Sequence, residues 1–249
     1  MTSIQFANVT KTYHLKREVY RSLASQCNEA FLRILKPHSD TKDYIHALDN
    51  VSFEITQGES VGIIGANGAG KSTLLRLIAN ISKPTSGTIT VHGQIAPLLE
   101  VGAGFHPELT GRENIFLNGV ILGMSKHDIR KCFDQIVTFA ELDKFIDSPV
   151  KLYSSGMYIR LGFSVAVHSN FDILLADEIF AVGDYRFRMK CLDKFGLLKK
   201  QGKTIVLISH SLEQLQKHCQ RGILIRRGKI VIDAEIEQVC NQYQNMEQM

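Results

Sequence analysis

The chain has 249 residues, 44% hydrophobic and 22% charged, with a formal net charge of +4; it can bury one sizeable core, with room for an inserted subdomain. The mild charge implies no general nucleic-acid role, and five cysteines without CxxC pairing (Cys27, Cys132, Cys191, Cys219 and Cys240) read as reduced thiols of a cytosolic protein. The start MTSIQFANVTKTY lacks the features of a signal peptide, and no apolar stretch reaches the roughly 18 residues of a membrane span.

In chain order, residues 3 to 13 read as a strand with Ile4, Phe6 and Val9 facing inward. Residues 14 to 46 follow, with Val19, Leu23, Cys27, Ala30, Phe31 and Ile34 at three- and four-residue spacing. That spacing predicts a basic amphipathic helix ending before Pro37, packed on the parent domain or lying at a membrane surface. A strand over 47–55 leads through Gln57-Gly58-Glu59 to the apolar run Val61-Gly62-Ile63-Ile64, and then to GANGAGKSTLLRLI. Strands are expected near 88–92 and 94–99, joined at Gly93. From Gly102 to about Asn170 helical patterns dominate and predict an inserted subdomain. Strands return at 172–177, 204–208, 222–225 and 229–232, with a hairpin at Arg227-Gly228 and a short final helix. Strands alternating with helices predict an α/β fold: a P-loop core with a mostly parallel sheet, antiparallel β elements and the helical insertion, in one domain spanning 1–249.

The chemistry concentrates in four places. Gly65, Ala66, Asn67, Gly68, Ala69, Gly70, Lys71, Ser72 and Thr73 form a P-loop between a strand and a helix, the context the pattern requires. Its glycines let backbone N–H groups approach phosphate oxygens, the helix start adds a positive dipole end, Lys71 can reach the β- and γ-phosphates, and Ser72 can ligate Mg²⁺. The strand ending in Asp177-Glu178 offers a metal-holding carboxylate and a general base for water. His210, after another strand, can donate a hydrogen bond to the γ-phosphate or to Glu178 and its water. Tyr153-Ser154-Ser155-Gly156-Met157 precedes a helix expected from Tyr158 to about Val167, a second phosphate-binding helix start. One nucleotide needs only one such surface, so the pair makes sense if the P-loop of one subunit faces this helix start on another.

GANGAGKS, YSSGM, ILLADE and ISH in this order resemble the ATP-binding subunit of ABC transporters, over essentially the whole chain apart from 14–46. YSSGM departs from that family's usual LSGGQ at Tyr153, Ser155 and Met157. With LLEVGAGFHPELTGRENI and DEIFAVGD, those departures look like the branch that exports O-antigen, capsule or teichoic acid on lipid carriers. The resemblance implies ATP and Mg²⁺ as cofactors. It implies Tyr13 as the aromatic stacked on adenine, with Tyr44 and His46 as competitors. Glu100 stands near the residue that senses the metal and touches the membrane subunit, and Ala181-Val182-Gly183-Asp184 near the loop that crosses the dimer. The expected partners are a second copy of the chain, an integral membrane permease and a lipid-linked glycan as cargo, with no nucleic acid. The expected place is the cytoplasmic face of the inner membrane, peripherally bound. Another cargo, an ABC-type ATPase without a membrane partner, and a small-molecule P-loop kinase stay open. Some relatives extend into a glycan-recognising C-terminal domain; the chain ends at Met249 soon after its last helix, so glycan recognition is expected elsewhere.

Overall fold

The computed structural model describes residues 1–14, 44–99, 102–177, 184–209 and 211–247. The helix expected within 14–46 therefore lies outside the described residues, except that His14 closes one strand and Tyr44, Ile45 and His46 open another.

Two sheets are stacked. The first is antiparallel, in the order β2-β1-β4, built from β1 (Thr2–His14), β2 (Tyr44–Thr56) and β4 (Ser86–Val91). The second runs β5-β6-β7-β3-β8-β9, from β3 (Ser60–Ile64), β5 (Ile95–Leu98), β6 (Ile173–Asp177), β7 (Thr204–Ile208), β8 (Arg221–Arg226) and β9 (Lys229–Glu235). All its pairs are parallel except β8 with β9. The two strands expected on either side of Gly93 thus belong to different sheets. Gly93 (φ 115°) makes the turn, and Asp172 Oδ2 accepts from Gln94 N–H at 2.9 Å to hold it. Pro97 has no N–H to give, which an edge strand such as β5 tolerates.

Strands buried on both faces should read as continuous apolar runs, and Ile173-Leu174-Leu175-Ala176 are all 0% exposed. Alternation divides them: Ile173 and Leu175 join the layer of α1 (Lys71–Ile78) and the antiparallel sheet, with Leu74, Leu75, Ile4, Phe6 and Val9. Leu174 and Ala176 join the opposite layer under α5 (Tyr185–Lys200), α6 (Leu212–His218) and α7 (Ile236–Glu247).

Between β5 and β6 lie α2 (Gly111–Ile121), α3 (Lys126–Ala140) and α4 (Ser155–His168). They share a core of their own, including Ile115, Ile129, Ile136, Leu161 and Val165. Helix α4 serves both cores: Leu161 and Val165 face α2 and α3, while Phe163, Ala166 and Val167 face the sheet layer. Phe139, Phe163 and Phe187, with ring centroids 5.7–6.0 Å apart, fasten the seam. Beside them Arg160 pairs with Glu141 at 3.1 Å and with Asp184, and Lys190 pairs with Glu141 at 2.6 Å. The Lys190 bond holds the Glu141 carboxyl below its ordinary value, and the Phe187 N–H does the same for Asp184.

Candidate nucleotide site

The phosphate cradle is a consequence of crowding. A Cβ on Gly65 (φ 153°) would collide with the Ile225 carbonyl, and one on Gly70 (φ 111°) with the Ala47 carbonyl, so only glycine lets the loop thread between β8 and β2. The loop is tied down from outside: Gly228 N–H donates to Ala69 O and Asp49 N–H to Gly228 O, each at 2.9 Å. Arg227 (φ 49°) and Gly228 (φ 77°) form the two-residue hairpin turn that reaches it. Helix α1 starts at Lys71, with Gly70 as its cap.

Lys71 is 8% exposed, and its Nζ donates to Gly65 O at 2.6 Å and Ala66 O at 3.0 Å. The ammonium is thus held by the rim of the loop it serves. Ser72 Oγ donates to Asp177 Oδ2 at 3.3 Å, bringing together two residues 105 positions apart. That pair fits magnesium, which takes one or two carboxylate or hydroxyl oxygens and completes its shell with phosphates and water. Among the described residues there is no cluster of three or more His, Cys, Asp or Glu, as a more fully protein-ligated ion would need. Ile45, Ala47, Asn67, Gly68, Gly70, Lys71, Ser72, Thr73 and Asp177 line a cleft of about 200 Å³.

Tyr13 lies opposite Ile45 in the β1–β2 register, on the same face as that cleft-lining residue, and is 40% exposed. The Lys11 ammonium sits 4.9 Å from the Tyr13 ring centroid. Tyr44 and His46 flank Ile45 on β2, so the pleat turns both to the other face. There Tyr44 meets the His14 ring at 4.3 Å, and His46 Nδ1 lies 3.2 Å from Thr12 Oγ1.

The second helix start begins earlier than its pattern predicts. Helix α4 opens at Ser155, and Ser154 is its cap, with Oγ accepting from Met157 N–H at 3.2 Å. Ser154 and Ser155 are exposed, and the first turn carries no acidic residue, so the positive helix end faces outward uncompensated. Glu178, His210 and Glu100 lie outside the described residues, as do Ala181, Val182 and Gly183. Sequence reasoning missed Ile45 and Ala47 in the cleft wall; no local pattern marks them, because only the β1–β2 pairing aims them at the P-loop.

A P-loop at the end of a parallel strand, with a hydroxyl and a carboxylate converging from α1 and β6, defines a P-loop protein built to bind a nucleoside triphosphate. The sequence profile of the ABC transporter family matches residues 48–181. The chain is 42% identical over 243 residues to the O-antigen export system ATP-binding protein RfbB of Klebsiella pneumoniae, covering 96% of each. It is 45% identical over 232 residues to the protein of that name in Myxococcus xanthus, covering 92% of this chain and 53% of that protein. It is 42% identical over 240 residues to the teichoic acids export ATP-binding protein TagH of Bacillus anthracis, covering 96% of this chain and 42% of that protein. Among solved structures, a dimeric ATP-binding cassette in a post-hydrolysis state with ADP and Pi superposes with a TM-score of 0.72 at 25% identity, covering 94% of this chain and 98% of that one. The chain belongs to the ABC transporter family, and it is an ATPase that binds ATP.

Proposed function

We propose that the chain is the motor subunit of an exporter that moves a lipid-linked polysaccharide, of O-antigen or capsular type, across the inner membrane. It works as one ATP-binding domain, peripherally bound at the cytoplasmic face beneath a permease. Two copies enclose two ATP molecules, each held by the P-loop of one protomer and the Ser154-Ser155-Gly156 helix start of the other. The observation that carries this reading is the pair of phosphate-competent helix starts, one in the cleft wall with Lys71 buried and one on α4 with its serines exposed. The named relatives support the cargo class, with teichoic acid as the other cargo they represent.

In the proposed cycle the P-loop amides and Lys71 hold the β- and γ-phosphates, and Tyr13 stacks on the adenine beside Ile45. Ser72 and Asp177 would hold Mg²⁺, with Glu100 as the proposed sensor of the ion, and a metal held there would offset charge on the phosphate oxygens. Glu178 takes the proton of the attacking water while His210 steadies the γ-phosphate. ATP then stabilises the closed pair and hydrolysis releases it. The exposed apolar residues Leu117, Val120 and Ile121 on α2 (36%, 50% and 60%) support docking of the helical insertion on the permease.

Affinity capture of the tagged chain from detergent-solubilised membranes tests the partner. Stoichiometric recovery of a polytopic membrane protein, and loss of surface polysaccharide on deleting the gene, are expected. Full export without the chain contradicts the reading.

A further inference from the structure

Tyr158 sits in the first turn of α4, where its N–H donates to Ser154 O at 2.9 Å. Its hydroxyl donates to Gly102 O at 2.9 Å, 56 residues away in the chain. The ring meets Phe105 edge-on, with centroids 5.0 Å apart and planes at 70°. Gly102 (φ 84°) has no room for a Cβ, which would collide with Cε1 of that ring. The same loop is fixed to α2 further along, by Asn118 Nδ2 donating to Ala103 O at 2.9 Å. This loop follows β5, which pairs with β6, the strand that delivers Asp177 to Ser72.

We propose that Tyr158 is a positioning residue whose hydroxyl pins the Gly102–Phe105 loop to the first turn of α4, setting the angle at which Ser154, Ser155 and Gly156 meet the nucleotide of a second copy. This rests on the two-copy reading above. The pin ties the loop that follows β5, the neighbour of the Asp177 strand, to the helix start that caps the partner's nucleotide. A phenylalanine at position 158 would keep the packing and lose only the link. The hydrogen bonds and ring contact of Tyr158 go to Gly102, Ser154 and Phe105 and none goes to the P-loop, so Tyr158→Phe leaves a single protomer's own grip on ATP intact.

The test compares Tyr158→Phe and Phe105→Leu, each in a Glu178→Gln background that holds ATP. Binding of a fluorescent ATP analogue at low protein concentration reads the P-loop alone. Sedimentation across protein concentration with saturating ATP reads dimer formation. Tyr158→Phe should leave analogue affinity unchanged, lower the melting temperature by a few degrees, and weaken the ATP-driven dimer about 3- to 10-fold, because the loosened start of α4 must be ordered again when it meets the partner's nucleotide. Phe105→Leu, which keeps the hydroxyl bond, should lower the melting temperature and leave the dimer constant alone. Equal dimerisation of Tyr158→Phe and its parent overturns the pin. A parent that stays monomeric in ATP overturns the two-copy reading beneath it.

Discussion

Replacing Lys71 by methionine keeps the buried stem and removes only the ammonium. That ammonium makes two bonds to the Gly65 and Ala66 carbonyls, and both must be exchanged when phosphate arrives. A unit charge about 4 Å from a phosphate oxygen contributes about 4 kcal/mol at an effective dielectric of about 20. Giving up the two carbonyls offsets part of this, at about 1 kcal/mol each. The net loss on binding is therefore about 2–4 kcal/mol, which weakens ATP affinity roughly 30- to 700-fold at about 1.4 kcal/mol per tenfold. A thermal shift measures it directly. At ATP equal to about 100 times the parent dissociation constant, linkage stabilises the parent by about 2.7 kcal/mol. For a chain of this length that raises the melting temperature by roughly 5–10 °C. A variant 100-fold weaker gains only about 0.4 kcal/mol, or roughly 1 °C, at the same ATP concentration. An undiminished ATP shift in Lys71→Met refutes the role given to this side chain.

Two further predictions concern the scaffold around the site. Asn114, 0% exposed, accepts from His106 N–H at 2.7 Å and fans its amide across the carbonyls of His106, Leu109 and Thr110. Asn114→Ala leaves those groups without their buried partner and should cost about 2–4 kcal/mol, a fall of roughly 5–15 °C in melting temperature; amide exchange in residues 102–110 should accelerate with it, and an unchanged exchange pattern counts against the hub. Burial pushes His168 below its ordinary value, with Lys194 adding to the effect, and burial does the same to His218. A histidine whose folded value is depressed contributes stability above its unfolded value near 6.5 and loses it as pH falls through the folded value. Melting temperature should therefore drop between pH 7.5 and 5.5, and His168→Gln should flatten part of that slope; a parent curve flat across this window contradicts the burial argument.

The P-loop and the buried strands were legible because each carries its instruction locally. Gly65 and Gly70 mark close backbone approaches, and Ile173-Leu174-Leu175-Ala176 can only be buried on both faces. The partition of β4 and β5 between two sheets was not legible, since β4 finds its partner in β1 some 80 residues earlier. The start of α4 was read three residues late because YSSGM offers two serines, and only the Ser154 Oγ bond to Met157 N–H decides which one caps. Tyr13 became separable from Tyr44 and His46 only once the β1–β2 register assigned faces to the three. Asn114, Ile45 and Tyr158 act through contacts made by tertiary packing, so their sequence neighbourhoods carry no trace of the role.

The central claim is that the P-loop is half a site, with the other half on a second copy. Light scattering of Glu178→Gln with and without ATP tests it most directly. The account predicts the 27.9 kDa protomer without nucleotide and twice that mass with ATP, reverting to the protomer when Gly156→Asp puts a negative charge at the exposed helix start. A protomer mass at saturating ATP and high protein concentration, or a dimer indifferent to Gly156→Asp, would contradict it.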